Sequence, residues 1–175
     1  MMKKYSWLIL CALLALFSCK ETTKNPSNQV PKGQMKSSME KANRYLVNEE
    51  EQDIGNYIER HGLSMVSTGT GLRYQILKQG SEEKLQKGER VSMEYQLSSI
   101  TGDLIYSSEN EGIKTFVIGK GQVEAGLDEA MTYLHKGDYA KLIIPSHLGY
   151  GLHGDDNRIP EYATLVYTIK IIDNQ

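Results

Sequence analysis

Residues 123–172 read VEAGLDEAMTYLHKGDYAKLIIPSHLGYGLHGDDNRIPEYATLVYTIKII, and the succession of periods along this stretch decides the fold class. Val123, Leu127, Ala130, Met131 and Leu134 fall on one helical face. Gly137 stands where a helix cap belongs, since glycine adopts the left-handed turn that ends many helices. Tyr139 to Ile144 reads as a buried strand ending at Pro145. Ser146 to Tyr162 is a Gly- and Asp-rich loop, and Leu165, Tyr167, Ile169 and Ile171 alternate along a last strand.

Upstream the period is also two. Val91, Met93, Tyr95 and Leu97 alternate with Ser92, Glu94, Gln96 and Ser98, the pattern of a half-buried antiparallel strand. Thr101-Gly102-Asp103 makes a turn, Leu104 to Ser107 continues extended, and Lys114 to Ile118 is a short strand closed by Gly119. Leu72 to Leu77 adds another strand. Strands, one helix, a strand, a long loop and a strand predict an α+β fold: a curved antiparallel β-sheet wrapped around one short α-helix.

A helical N-terminal segment is expected before this domain. Ser37 and Glu40 fit a capping box, and Met39, Leu46, Ile54, Tyr57 and Ile58 follow near helical spacing. Gly55 allows a break into two short helices. The segment either packs on the domain, the favoured reading, or serves as a dimerisation or partner helix. The division expected is 1–18 signal peptide, 19–36 tether, 37–62 helical spacer and 64–175 folded domain, with its core at 87–175.

The chain start carries a targeting signal. Lys3 and Lys4 precede an apolar run from Trp7 to Phe17, which is short for a membrane span. The run closes with Leu16-Phe17-Ser18-Cys19. This resembles the lipobox of bacterial lipoproteins, which implies a Cys19 thiol that accepts a diacylglyceryl group and becomes the new N-terminus. A secretory signal with a chance Cys is the alternative. Lys20 to about Met35 is polar, contains two Pro and reads as a flexible tether. The resemblance implies a lipid-anchored cell-envelope protein, with the outer membrane facing the periplasm as the expected site.

Composition narrows the function. The formal net charge of −2 offers no electrostatic basis for nucleic-acid binding. Both Cys lie in the first nineteen residues, so the domain can form neither an internal disulfide nor a thiolate metal site. Eleven Tyr against two Phe suit a half-wet pocket, because Tyr combines an apolar body with a polar tip. No Ser/His/Asp, Cys/His or HExxH pattern occurs. His147, His153, Asp155 and Asp156 share the long loop without a tight ligand spacing, so no metal and no cofactor are expected.

The segments KGERVSMEYQ (Lys87–Gln96), VEAGLDEA (Val123–Ala130), KGDYAKLIIP (Lys136–Pro145), LGYG (Leu148–Gly151) and IPEYATLVYTIKII (Ile159–Ile172) resemble, in order and spacing, the FK506-binding family of peptidyl-prolyl cis-trans isomerases. The helical prelude followed by GTGLRYQI (Gly69–Ile76) looks like the gliding-motility-associated lipoprotein members. The family pattern implies a pocket lined by Tyr95, Ile105, Tyr106, Phe116, Val123, Leu127, Ile159 and Tyr167, with Leu127 as its floor. It also implies two hydrogen-bond donors to substrate, the backbone N–H of Glu124 and the hydroxyl of Tyr150. Several positions depart from the pattern. Tyr106 stands where the family usually has Asp, Leu127 replaces the usual Trp, Lys114 replaces a wall aromatic and Glu124 replaces an aliphatic residue. The implied function is isomerisation of X–Pro bonds in exported proteins, in an apolar aromatic pocket. A non-catalytic chaperone or binding module, or a structural part of a gliding or secretion apparatus, is the alternative. Proline-containing segments are the expected partners, with a membrane held through the lipid anchor and a homodimer formed through the spacer as further expectations.

Overall fold

The computed structural model describes residues 32–172. Cys19, the signal segment and most of the expected tether lie outside the described residues. The chain divides into two compact units, one ending at Glu40 and the other starting at Lys41.

Helix α1 (Lys32–Arg60) is continuous over 29 residues, without the break Gly55 allowed. Its start corrects the capping-box expectation. Ser37 lies inside the helix, where its hydroxyl donates to the Gln34 carbonyl at 3.0 Å, so it caps nothing. In the first unit Met35 and Met39 are exposed and Lys36 lies 4.0 Å from Glu40. Among the described residues no helix is long and apolar enough to cross a membrane.

In the second unit, seven strands form one antiparallel sheet: β1 (Val66–Ser67), β2 (Arg73–Lys78), β3 (Arg90–Ser99), β4 (Leu104–Ser107), β5 (Lys114–Val117), β6 (Tyr139–Ile144) and β7 (Leu165–Ile172). Their order is β1-β2-β6-β7-β3-β4, and β5 also pairs with β3. Strand β3 organises the far half of the sheet. One of its edges runs along β7 from Ser92 to Ser99. The other pairs with β5 through Arg90–Met93 and with β4 through Gln96–Ser98. In the gap between those two ladders the Ser108 hydroxyl accepts from the Tyr95 N–H at 3.1 Å.

The alternation seen in the sequence sorts the two faces. Val91, Met93, Tyr95 and Leu97 of β3 and Leu165, Tyr167, Ile169 and Ile171 of β7 all face one buried core. Helix α3 (Ala125–Met131) lies against that face and buries Gly126, Leu127, Ala130 and Met131. Gly126 permits the approach: a Cβ there would stand 2.5 Å from Ile144 Cγ2. The helix is shorter than its periodicity suggests. It ends at Met131, and Leu134 is buried from the following turn. Gly137, with φ +78°, therefore serves the turn into β6 and does not cap the helix. A one-turn helix, α2 (Ser108–Glu111), follows β4 and was not legible in the sequence.

On the outer face, Ile54 and Tyr57 of α1 bury against Ile143 and Val166. Withdrawing two such side chains from water contributes roughly 3–5 kcal/mol. The spacer thus ends as part of the domain. Glu50 strengthens the contact: it accepts from the Ser146 N–H at 2.6 Å, the Ser146 hydroxyl at 3.1 Å and the Thr164 hydroxyl at 2.6 Å. Ser146 and Thr164 sit at the two ends of the long loop.

Candidate functional site

The site lies where the inner ends of β3, β4 and β7 meet the start of α3 and the long loop. Tyr95 and Tyr167 project from neighbouring strands because Leu97 and Tyr167 are register partners and period two keeps both side chains inward. Their ring centroids are 6.1 Å apart at 47°. Tyr167 is fully buried and Tyr95 nearly so. Leu127 and Phe116 are buried in the same core cluster. Ile159 is also buried, whereas Ile105, Val123 and Tyr150 are partly exposed and pack on the same core.

The sequence left Glu124 as a backbone donor with an odd side chain. The structure shows that the side chain belongs to the site. Glu124 opens α3 as its N-cap residue, so its N–H precedes the helix and is not used by it. Its carboxylate turns inward and is 3% exposed. The Tyr167 hydroxyl donates to it at 2.7 Å, and Lys114 Nζ lies 3.9 Å away. That ammonium stands 5.1 Å from the Tyr95 ring centre and 5.9 Å from that of Tyr167. Both aromatic faces attract a cation through their negative quadrupoles. The wall implied by the family pattern as apolar therefore contains an ion pair, cushioned by two tyrosines.

The electrostatics follow. Burial first, then the Glu124 charge, pushes the Tyr167 hydroxyl well above its usual pKa. Tyr150 is raised in the same way, by burial and then by the Glu124 charge. Tyr95 is raised by burial, with the Glu111 and Glu124 charges adding to it. All three phenols stay protonated at neutral pH and can donate hydrogen bonds.

Tyr106 takes a different role from the pocket carboxylate it replaces. Its hydroxyl donates to Asp155 at 2.5 Å and accepts from the Asn157 amide at 3.0 Å. Asp155 also accepts the N–H groups of Asn157 and Ile159. Burial would raise its pKa, but the Tyr106 hydroxyl and these N–H groups outweigh that and hold it low. The Arg158 guanidinium covers the Tyr106 ring at 5.0 Å and donates to the Ile105 carbonyl at 3.1 Å. Tyr106 and Arg158 thus clasp the long loop to β4. His147, by contrast, pairs with the Thr70 carbonyl at 2.9 Å, away from Asp155.

Sequence reasoning missed Lys114, Arg158 and the Glu124 side chain as members of the site. One signal was available for the first and last: two wall positions had departed together, to residues of opposite charge. The partnership of Tyr106 with Asp155 spans forty-nine residues and left no local trace.

Comparison with known proteins agrees with this fold. Residues 81–172 match the model of the FKBP-type peptidyl-prolyl cis-trans isomerase family. The FK506-binding protein of Neisseria meningitidis is 33% identical over 103 residues, covering 58% of this chain and 94% of that protein. The probable FKBP-type peptidyl-prolyl cis-trans isomerase FkpA of the same species is 36% identical over 107 residues, covering 61% and 39%. Peptidyl-prolyl cis-trans isomerase FKBP9 of Homo sapiens is 38% identical over 90 residues, or 50% of this chain, and the match spans only 16% of that protein. Among solved structures, the crystal structure of AtFKBP13 superposes with a TM-score of 0.60 at 26% identity, covering 64% of this chain and 99% of that one.

Proposed function

Because the chain belongs to the FKBP-type peptidyl-prolyl cis-trans isomerase family, we propose that it speeds the cis–trans exchange of X–Pro bonds in exported proteins as they fold in the cell envelope. The observation that carries this reading is the convergence of Tyr95, Tyr150 and Tyr167 beside the start of α3, in a site whose phenols remain protonated.

The chemistry needs no covalent step. Amide resonance sets a rotational barrier of about 18–20 kcal/mol, and X–Pro bonds exchange over tens to hundreds of seconds. The half-rotated amide has lost resonance and is less dipolar than the planar form. A water-poor pocket therefore favours the twisted state over the planar one, and donors fixed beforehand hold the rotated carbonyl. The Glu124 N–H and the Tyr150 hydroxyl are the two donors proposed. Tyr95, Ile105, Val123, Ile159 and Tyr167 line the proposed substrate contact.

The envelope setting rests on the lipobox-like Leu16–Cys19, and the finer likeness to gliding-motility lipoproteins rests on the helical prelude and Gly69–Ile76. Protease-coupled turnover of a proline tetrapeptide by the full chain tests the activity. Cys19→Ser tests the anchor: it should move the protein out of the membrane fraction. A second reading, a binding module without useful turnover, is favoured by the Lys114–Glu124 pair in the wall. Peptide binding without acceleration would select it.

A further inference from the structure

Glu124 and Lys114 make an ion pair whose two halves differ in access. The Glu124 side chain is 3% exposed and takes the Tyr167 hydroxyl, so an incoming peptide cannot reach it without opening the wall. The Lys114 side chain is 27% exposed, with its ammonium held beside the rings of Tyr95 and Tyr167. Of the pair, the cation is the half that a bound segment meets. Other charges nearby are engaged elsewhere: Arg158 lies 3.4 Å from Glu111 and covers Tyr106, and Asp155 holds the Tyr106 hydroxyl.

We infer that Lys114, kept in place by the buried Glu124 carboxylate, selects proline segments carrying an acidic residue next to the proline and disfavours basic ones. This rests on the isomerase reading and names its substrate class. A carboxylate on the peptide adds a second counter-charge to an ammonium that is already partly desolvated and fixed. An ammonium or guanidinium on the peptide meets a like charge instead, and the compensating carboxylate is out of its reach. Glu124 acts as the positioning residue: without it the lysine has no buried anchor and returns to solvent.

The experiment compares peptides with Glu, Leu or Lys before proline in a protease-free assay, using the full chain and three variants. For the wild type, kcat/KM for the Glu peptide should exceed that for the Leu peptide by about two- to fivefold at low salt, with Lys lowest. The preference should shrink in high salt, because screening weakens exposed pairs. Lys114→Arg should keep the ratio. Lys114→Leu should remove it, as should Lys114→Leu with Glu124→Leu, which leaves no orphaned buried carboxylate if the single variant folds poorly. A Glu-to-Leu ratio that is the same in wild type and in a folded lysine-free variant overturns the inference. If the wild type accelerates no peptide, the isomerase reading falls. Selectivity is then read from the affinities of the same peptides by NMR titration, where a preference independent of Lys114 overturns it equally.

Discussion

The outer-face clamp around Glu50 holds a glutamate partly out of water and the inner-face site around Glu124 buries one, with different partners. Glu50 is met by neutral donors, one N–H and two hydroxyls from the two ends of the loop. Fixed dipoles of that kind lock geometry, and the carboxylate has little left to offer a ligand. Glu124 is met by a phenol and an ammonium. A cationic partner leaves half of the pair accessible. The same side chain therefore serves as a fastener on one face of the sheet and as the root of a recognition group on the other.

The largest test of this contrast is removal of the clamp. The sequence expectation is that residues 64–175 fold alone. The packing of Ile54 and Tyr57 predicts instead that this fragment is less stable than the full chain by roughly 3–5 kcal/mol. Urea unfolding of both measures it, and equal midpoints would show that the outer cluster contributes nothing. Next in size, Glu50→Ala strands the Ser146 N–H and should cost about 3 kcal/mol. It should also raise hydrogen exchange at both ends of the loop, and Glu50→Gln should recover part of the loss.

On the inner face, Tyr167→Phe removes the hydroxyl from the Glu124 carboxylate and should cost about 2 kcal/mol at pH 7. It should also change the alkaline limb. The folded-state pKa values of Tyr167 and Tyr150 lie above those of the unfolded chain, so the native state holds these protons more tightly. Their contribution is fully present below the unfolded tyrosine value of about 10 and is lost as pH rises above it. Stability measured from pH 8 to 12 should fall less steeply in Tyr167→Phe; an unchanged slope would mean that this phenol titrates freely. The smallest effect is expected from Tyr150→Phe, which keeps the wall and removes one donor. Turnover should fall about tenfold or less. Complete loss of activity in that folded variant would point to chemistry other than amide twisting.

Most of the fold was legible because period two and period 3.6 are local properties. The inward sets of β3 and β7 stand where their alternation puts them. Misjudged details were those at which local rules compete. Ser37 looks like a cap, but the helix begins at Lys32 and absorbs it. Leu134 fits the helical face, yet it is buried from a turn, because burial does not require the helix to continue.

By itself the sequence determined the antiparallel sheet with its single inner helix, the family, and the set of residues available to the site. Each of these follows from side-chain periodicity and motif spacing, which a linear chain carries openly. Tertiary structure alone decided what the departures mean. Glu124 and Lys114 are ten residues apart, and only the pairing of β5 with β3 and the start of α3 bring their charges to 3.9 Å. Glu50 and Thr164 are 114 residues apart, yet they share one hydrogen bond. An isolated charge in a sequence has no fixed role, because its energy depends on the dielectric and the partners that folding places around it.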